Sequence, residues 1–331
     1  VTTAADRSLL MRLAEGPVSG DALAREAGQT RAAVWKRIQG LRRAGVAIEA
    51  WPGRGYALAA PLDLLDAARI RTALPPAVAA GIDALEVAWC LESTNSELLG
   101  RAQGAGVQVL LAERQSGGRG RRGRAWASPL AANLYLSVAR GFEGGLARLG
   151  GLSLVAGVAV AEALRGLGAA AVGLKWPNDI VVADAGGLRK LGGILVEGGG
   201  EHAGPARAVL GIGLNVRMPA AFGAGIDQPW TDLGALLDPA PSRDALAAAV
   251  LAALLPALEC FDRDGLAPFL PRYAACDAIA GARVQVQAGD GCHEGLALGP
   301  AADGALRVRT AGGERSFHAG EVSLRRMERS A

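Results

Sequence analysis

The chain opens with apolar residues recurring at helical spacing. Leu9, Leu10 and Leu13 mark a first short helix. Ser19 then precedes a second over 21–27 that Gly28 ends, a hydroxyl N-cap and a glycine stop. Thr30 opens a third, Arg31–Arg43, with Val34, Ile38 and Leu41 on one face and Arg31, Lys36, Arg37, Arg42 and Arg43 on the others; Gly45 closes it. The period then switches to alternation over 46–51 and 56–58, with Pro52-Gly53-Arg54-Gly55 between, which predicts a hairpin. Three helices and a hairpin make the plan of a winged helix-turn-helix. Thr30, Arg31, Lys36 and Arg37 would then sit at the major groove, with Arg54 of the wing near phosphates. The same elements also build dimerisation and regulatory modules, and the pattern leaves both open.

Pro61 and the pair Pro75-Pro76 bracket a helical linker. Strands are then expected at 85–91, Val107–Ala112, 134–139, Val172–Lys175, 180–183, 191–197 and 209–216. Helices are expected after Ser93-Thr94-Asn95, over 149–167 and over 243–261. Many strands with few crossover helices predict a mixed-sheet α+β unit with helices on one side. Beyond Asp277 the pattern becomes short alternating runs separated by glycine-rich turns, the mark of a small all-β barrel. The expected division is 1–62, a linker 63–84, a central unit 85–276 and a terminal barrel 277–331: a multidomain α+β chain.

Half of the 331 residues are hydrophobic, so a sizeable core is within reach. With a net charge of only +3, a polyanionic partner must be met by local clusters, and Arg31–Arg43 and Arg119–Arg124 are such clusters. The four cysteines show neither C-x-x-C spacing nor a histidine at ligand spacing, so reduced thiols are expected and no metal site. The apolar run 152–164 is too short to span a bilayer, and no apolar leader opens the chain. The cytoplasm is the expected compartment, with no membrane partner.

Candidate chemistry concentrates in Gln115-Ser-Gly-Gly-Arg119-Gly120-Arg121-Arg122-Gly-Arg124-Ala-Trp126, just after an apolar strand. Glycine lets backbone approach a ligand closely, and arginine offers a planar fork for phosphate or carboxylate. Such a run is either a solvated basic loop or a lid, and its place between strands favours a lid. Lys175-Trp176-Pro177-Asn178-Asp179 follows a strand and turns sharply, since Pro177 bars Trp176 from the helical region. It is either a plain β-turn or an amide and a carboxylate displayed beside an indole. Lys190 before Gly192-Gly193 is either an edge charge or an anion anchor. Ser93-Thr94-Asn95 is a helix cap or a polar pocket, and Gly211-Ile-Gly213-Leu-Asn215 is a glycine-rich strand ending in an amide. No dinucleotide or P-loop fingerprint is present.

In this order, with Asn133-Leu-Tyr135 between the arginine run and Lys175, these motifs resemble the biotin protein ligases. Val34-Trp35-Lys36-Arg-Ile38-Gln39 and Pro52-Gly-Arg-Gly55-Tyr56 resemble the DNA-binding unit of the bifunctional ligase–repressors, and Gly320-Glu321-Val-Ser323-Leu-Arg325 the end of their SH3-like barrel. The resemblance covers nearly the whole chain. It implies ATP-dependent formation of biotinyl-5′-adenylate and transfer of biotin to a lysine of a biotin carboxyl carrier protein. Mg²⁺, operator DNA and an adenylate-dependent homodimer come with it. It also implies a catalytic domain of the biotin/lipoate ligase type, with Arg121, Lys190 and Asp179 at the chemistry. Ser93, Thr94, Asn95, Gln115, Arg119, Gly120, Arg121, Lys190 and Gly193 would hold biotin. Arg121, Arg124, Trp126, Asn133, Asn178, Asp179, Asn215, Glu321 and Arg325 would hold the nucleotide. A sensor that has lost catalysis is the alternative. Phe317-His318-Ala319, where the family often has an aromatic followed by small residues, departs from the pattern.

Overall fold

The computed structural model describes residues 3–102, 104, 106–143, 149–200, 206–319 and 323–326. The first unit has helices α1 (Ala4–Ala14), α2 (Gly20–Glu26) and α3 (Arg31–Arg43) and the hairpin β1 (Ile48–Trp51) and β2 (Gly55–Leu58). Each helix starts on a hydroxyl: Thr3, Ser19 and Thr30 accept from the backbone N–H three residues on. Leu10, Leu13, Leu23, Val34, Ile38 and Leu41 form the core between them. Gly55 is obligatory at the hairpin, because at φ +89° a Cβ would lie 2.2 Å from the Val18 carbonyl oxygen.

The stretch expected as a linker is packed rather than free. It forms α4 (Ala67–Ala73) and α5 (Pro76–Ala80), and Leu65, Ile70 and Leu74 enter the main core. Strand β3 (Ile82–Ala88) begins three residues before the expected 85, because Ile82 already pairs with Val107 and the Asp83 carboxylate accepts the Gly106 N–H at 2.7 Å.

Seven strands make the central sheet, in the order β3-β4-β5-β9-β8-β7-β6. They are β4 (Val107–Ala112), β5 (Leu134–Phe142), β6 (Val172–Lys175), β7 (Asp179–Asp184), β8 (Gly187–Gly200) and β9 (Ala206–Leu214) beside β3. Among the described strands of this sheet, β3 and β4 pair in parallel and the other neighbours antiparallel. One face carries α7 (Leu152–Gly166) and α8 (Arg243–Asp264), packed on Val109, Leu136, Val138, Leu210 and Ile212. Helix α8 has the length and apolarity to cross a membrane, but Leu246, Val250, Leu251, Leu254, Leu258 and Phe261 are buried within the protein. Helices on one side only was an incomplete expectation. Helix α6 (Thr94–Gly100) covers the other face, Leu98 meeting Leu110, Ala139 and Val209. Side chains alternate along a strand, so the odd-numbered residues of β5 and β9 look away from α7 and α8.

The terminal unit is a five-stranded antiparallel sheet ordered β13-β12-β11-β10-β14. Its strands are β10 (Arg283–Ala288), β11 (Gly291–Pro300), β12 (Leu306–Thr310), β13 (Gly313–Phe317) and β14 (Ser323–Arg326). The last was not foreseen as a strand; it completes the sheet by pairing with β10. Trp176 ties this unit to the central one, its indole N–H donating to the Gly304 carbonyl at 3.0 Å.

Candidate active site

A row of residues crosses five strands of the central sheet on the α6 face: Tyr135, Gly213, Gly193, Asp179 and Lys175 are successive cross-strand partners. The next row holds Ser137, Gly211 and Leu195. The glycines are there because other side chains lie flat on the sheet. A Cβ on Gly211 would stand 2.4 Å from Asn95 Oδ1, and one on Gly213 would stand 2.6 Å from the Trp126 ring. A cleft of about 1500 Å³ opens above this floor. That exceeds the roughly 300–1,000 Å³ of a pocket for one small ligand, so two can lie side by side.

One end of the cleft is lined by uncharged polar side chains, backed by a paired Arg119 and Glu197. Ser93 caps α6, and the Thr94 backbone N–H and hydroxyl both donate to Gln115 Oε1, at 2.8 and 3.1 Å. Ser137 Oγ lies 2.7 Å from Thr94 Oγ1 and 2.6 Å from Asn95 Oδ1. The Asn95 amide donates to Glu197 at 2.9 Å, and Arg119 donates to the other Glu197 oxygen at 3.0 Å. Ser93, Thr94, Asn95 and Ser137 are all buried, so a ligand entering here meets fixed hydrogen-bonding groups. Ser137 and Glu197 were missed in the sequence. A serine inside an apolar strand was the available signal for the first, and an acid closing an apolar strand for the second.

Cations gather at the other end. Between Ile180 and Val181 the β7–β8 register shifts, Val181 pairing with Lys190 while Ile180 pairs with Gly192. This bulge sends Leu191 into the core and leaves Lys190 on the same face as Gly193, against the simple alternation. The Lys190 ammonium meets Asp179 Oδ1 at 2.6 Å and sits 5.5 Å from the Trp126 ring centroid. The arginine run folds back as a tight hairpin: Arg119 bridges Ala125, the Trp126 N–H donates to Gly118 O, and Arg122 and Gly123 turn the tip at positive φ. Arg121 donates to Asn178 Oδ1 at 3.4 Å and to the Ala319 carbonyl of the terminal unit. Burial there holds its guanidinium below its ordinary pKa. Arg124, Gly120 and Arg122 also line the cleft. Asn178 is clamped to β8, donating to Ile194 O at 2.7 Å while its own carbonyl accepts the Ile194 N–H.

Two expected nucleotide residues do not line the cleft. Asn133 is fully buried, its Oδ1 accepting the Val216 N–H at 2.9 Å. Asn215 spends its amide on the Thr231 carbonyl at 3.0 Å and the Lys190 carbonyl at 3.5 Å. Both brace backbone around Lys190 and β9, because an amide at a strand end finds unpaired backbone groups first. Arg325 lies on β14 with Gln285 as its cross-strand partner, and Glu321 lies outside the described residues.

In the first unit, Thr30 Oγ1 accepts the Ala33 N–H as a cap, and Arg37 pairs through one nitrogen with Asp6 at 3.4 Å. Arg31 is highly exposed although 3.7 Å from Asp21, and Lys36 is exposed without an ion pair among the described residues. Arg54 lies 5.8 Å from the Trp51 ring on the wing.

Comparison with known proteins accords with this geometry. The profile of the Biotin/lipoate A/B protein ligase family matches residues 88–215, an HTH domain profile matches 7–57, and the Biotin protein ligase C terminal domain matches 280–325. The chain is 41% identical to the bifunctional ligase/repressor BirA of Salmonella typhimurium, over 97% of this chain and 98% of that one. To the bifunctional ligase/repressor BirA of Escherichia coli it is 40% identical, over 97% of each. Among solved structures, the biotin protein ligase from Aquifex aeolicus in complex with biotin and ATP superposes with a TM-score of 0.62 at 27% identity, covering 74% of this chain and all (100%) of that one.

Proposed function

The chain belongs to the family of bifunctional biotin ligase/repressors, and from that premise we propose a two-step reaction in the cleft. A biotin carboxylate oxygen attacks the α-phosphorus of ATP; the new P–O bond forms as the bond to pyrophosphate breaks. The amine of a lysine on a biotin carboxyl carrier protein then attacks the carbonyl carbon of the adenylate. An amide forms, AMP leaves and the amine gives up a proton. No enzyme nucleophile is needed.

The observation that carries this reading is the adjacency, in one cleft, of a pocket of uncharged hydrogen-bonding side chains and a cluster of fixed cations. Biotin's ureido ring is neutral, so Ser93, Thr94, Asn95 and Gln115 can pair with it without burying charge. Arg119, Gly120 and Gly193 flank the ring and chain. Lys190 stands where the carboxylate ends and the α-phosphate begins, and Asp179 holds its ammonium. Arg121, Arg124, Trp126 and Asn178 surround the nucleotide. The first step brings two anions together, so preorganised cations supply most of its stabilisation. Asn133 and Asn215 act through the backbone they hold.

The donor set fits Mg²⁺ carried by nucleotide phosphates. No three potential metal ligands cluster among the described residues, while Asp179 and Asp184 line the cleft. Mg²⁺ commonly binds through one or two carboxylates plus substrate phosphates, and there it supplies charge neutralisation. The winged unit would bind operator DNA as a homodimer formed when the adenylate is bound, with Arg31, Lys36 and Arg54 toward the duplex. Label transfer from biotin and ATP to a purified biotin carrier domain tests the enzyme. Transfer that stops when Lys190 is replaced is the expected result, and no transfer at all would leave a sensor.

A further inference from the structure

Helix α3 keeps its core stripe, Val34, Ile38 and Leu41, fully covered. At 3.6 residues per turn, Trp35, Gln39, Ala32, Arg43, Lys36 and Gly40 fall on the opposite side. Trp35 is 52% exposed, the most exposed large hydrophobic side chain among the described residues. Its neighbours explain what can reach it. Ala32 is small, and a Cβ on Gly40 would meet nothing within 4 Å, so the helix axis can be approached closely. Lys36 and Arg43 take part in none of the described ion pairs, although Arg43 donates its Nε to the Gln39 carbonyl of its own helix at 3.3 Å; Arg37 pairs with Asp6, and Arg42 donates to the Ile48 carbonyl. Asp21 faces Arg31 at the start of the helix, not this stripe. The wing stands beside that start, since the space next to Gly20 is bounded by Arg31 and Tyr56.

A bare indole between cations outside the described ion pairs calls for a partner that is anionic outside and apolar at one point within. The major groove of B-DNA has that character, and on its base edges the apolar group is the thymine C5-methyl. We propose that Trp35 is a base-reading residue, packing on a thymine methyl while Gln39 takes a neighbouring base edge and Lys36 and Arg43 meet phosphates. This rests on the DNA-binding reading given above and adds the residue and the base it recognises.

The full-length chain, supplied with biotin and ATP, is used to enrich duplexes from a random-sequence library. Affinity is then measured for the enriched duplex and for versions with each thymine replaced by uracil, which removes one methyl and nothing else. Wild type loses roughly fourfold at one position per half-site, the worth of one buried methyl-sized group. Trp35→Ala shows the same loss on the unmodified duplex and no further loss with uracil, while Trp35→Phe restores part of the discrimination. Unchanged thermal unfolding of Trp35→Ala assigns its loss to contact rather than folding. A uracil effect of equal size in wild type and Trp35→Ala, or none at any position, overturns the assignment and leaves DNA binding intact. If no duplex is enriched, the DNA reading falls and the assignment with it. A Trp35→Ala chain that loses dimerisation but keeps uracil discrimination makes the stripe a contact between copies and likewise overturns it.

Discussion

Lys190 owes its position to one extra residue in a strand. The bulge at Leu191 turns the ammonium onto the cleft floor, 2.6 Å from Asp179, with Trp126 as an apolar wall. A charge held there binds a carboxylate without reorganising, and a hydrogen bond to a charged group is worth roughly 1.5–3 kcal/mol. Lys190→Ala is therefore expected to weaken biotin binding by about 10- to 100-fold in isothermal titration. Asp179 keeps Lys175 at 3.9 Å, so the carboxylate left behind is not stranded and the fold should persist. Wild-type biotin affinity in this variant would remove Lys190 from the site.

In the reaction proposed above, the arginine hairpin is the element on which retention of the reactive intermediate would depend. Its backbone is held by few internal bonds, and Arg121 joins it both to Asn178 on the central sheet and to Ala319 on the terminal one. Ordering a residue costs about 1–2 kcal/mol of backbone entropy, so a hairpin this rich in glycine needs such anchors to stay closed. Arg121→Gly should open the cleft and let adenylate escape before transfer. A bystander protein mixed with the variant, biotin and ATP then acquires label on its own lysines, well above wild-type background. Equal release of adenylate by both proteins would show that the hairpin is not a lid. The hairpin's composition was legible in the sequence, but its anchors were not, because Asn178 and Ala319 are 57 and 198 residues from Arg121.

Across the whole molecule, the cleft and the winged unit share a short stretch of chain. Four residues past Trp126, Leu130 is buried in the core of the helical unit, and its N–H donates to the Ala44 carbonyl at 2.7 Å. Tyr135, on the cleft floor, donates its hydroxyl to Pro129 O at 2.9 Å. A ligand that fixes Trp126 thus limits the freedom of the segment on which the winged unit rests. Biotinyl-adenylate is expected to increase dimer population in sedimentation and to tighten binding to a promoter fragment. By linkage the dimer must then bind adenylate more tightly than the monomer does. If neither dimer population nor DNA affinity responds, the winged unit is not coupled to the cleft.

Local chemistry was enough to read the helices of the first unit, since Ser19 and Thr30 cap, Gly28 and Gly45 stop, and an amphipathic stripe has one way to pack. It was also enough to read most strands and the motifs that line the cleft, because proline restricts the backbone, glycine frees it and arginine carries its charged fork wherever they stand. What it could not supply were relations between distant segments. The α6 face of the sheet holds the cleft because β8 and β9 bring Gly193, Gly211 and Gly213 together on one face, which no single strand reveals. Asn133 and Asn215 read as ligand-facing amides, yet tertiary packing left unpaired backbone beside them, and they went there instead. Ser137 and Glu197 read as ordinary strand residues until Thr94, Asn95 and Arg119 were brought against them. Sequence determines which groups need partners; only the folded chain decides which partner lies within 3 Å, because a hydrogen bond depends on distance in space and not on separation along the chain.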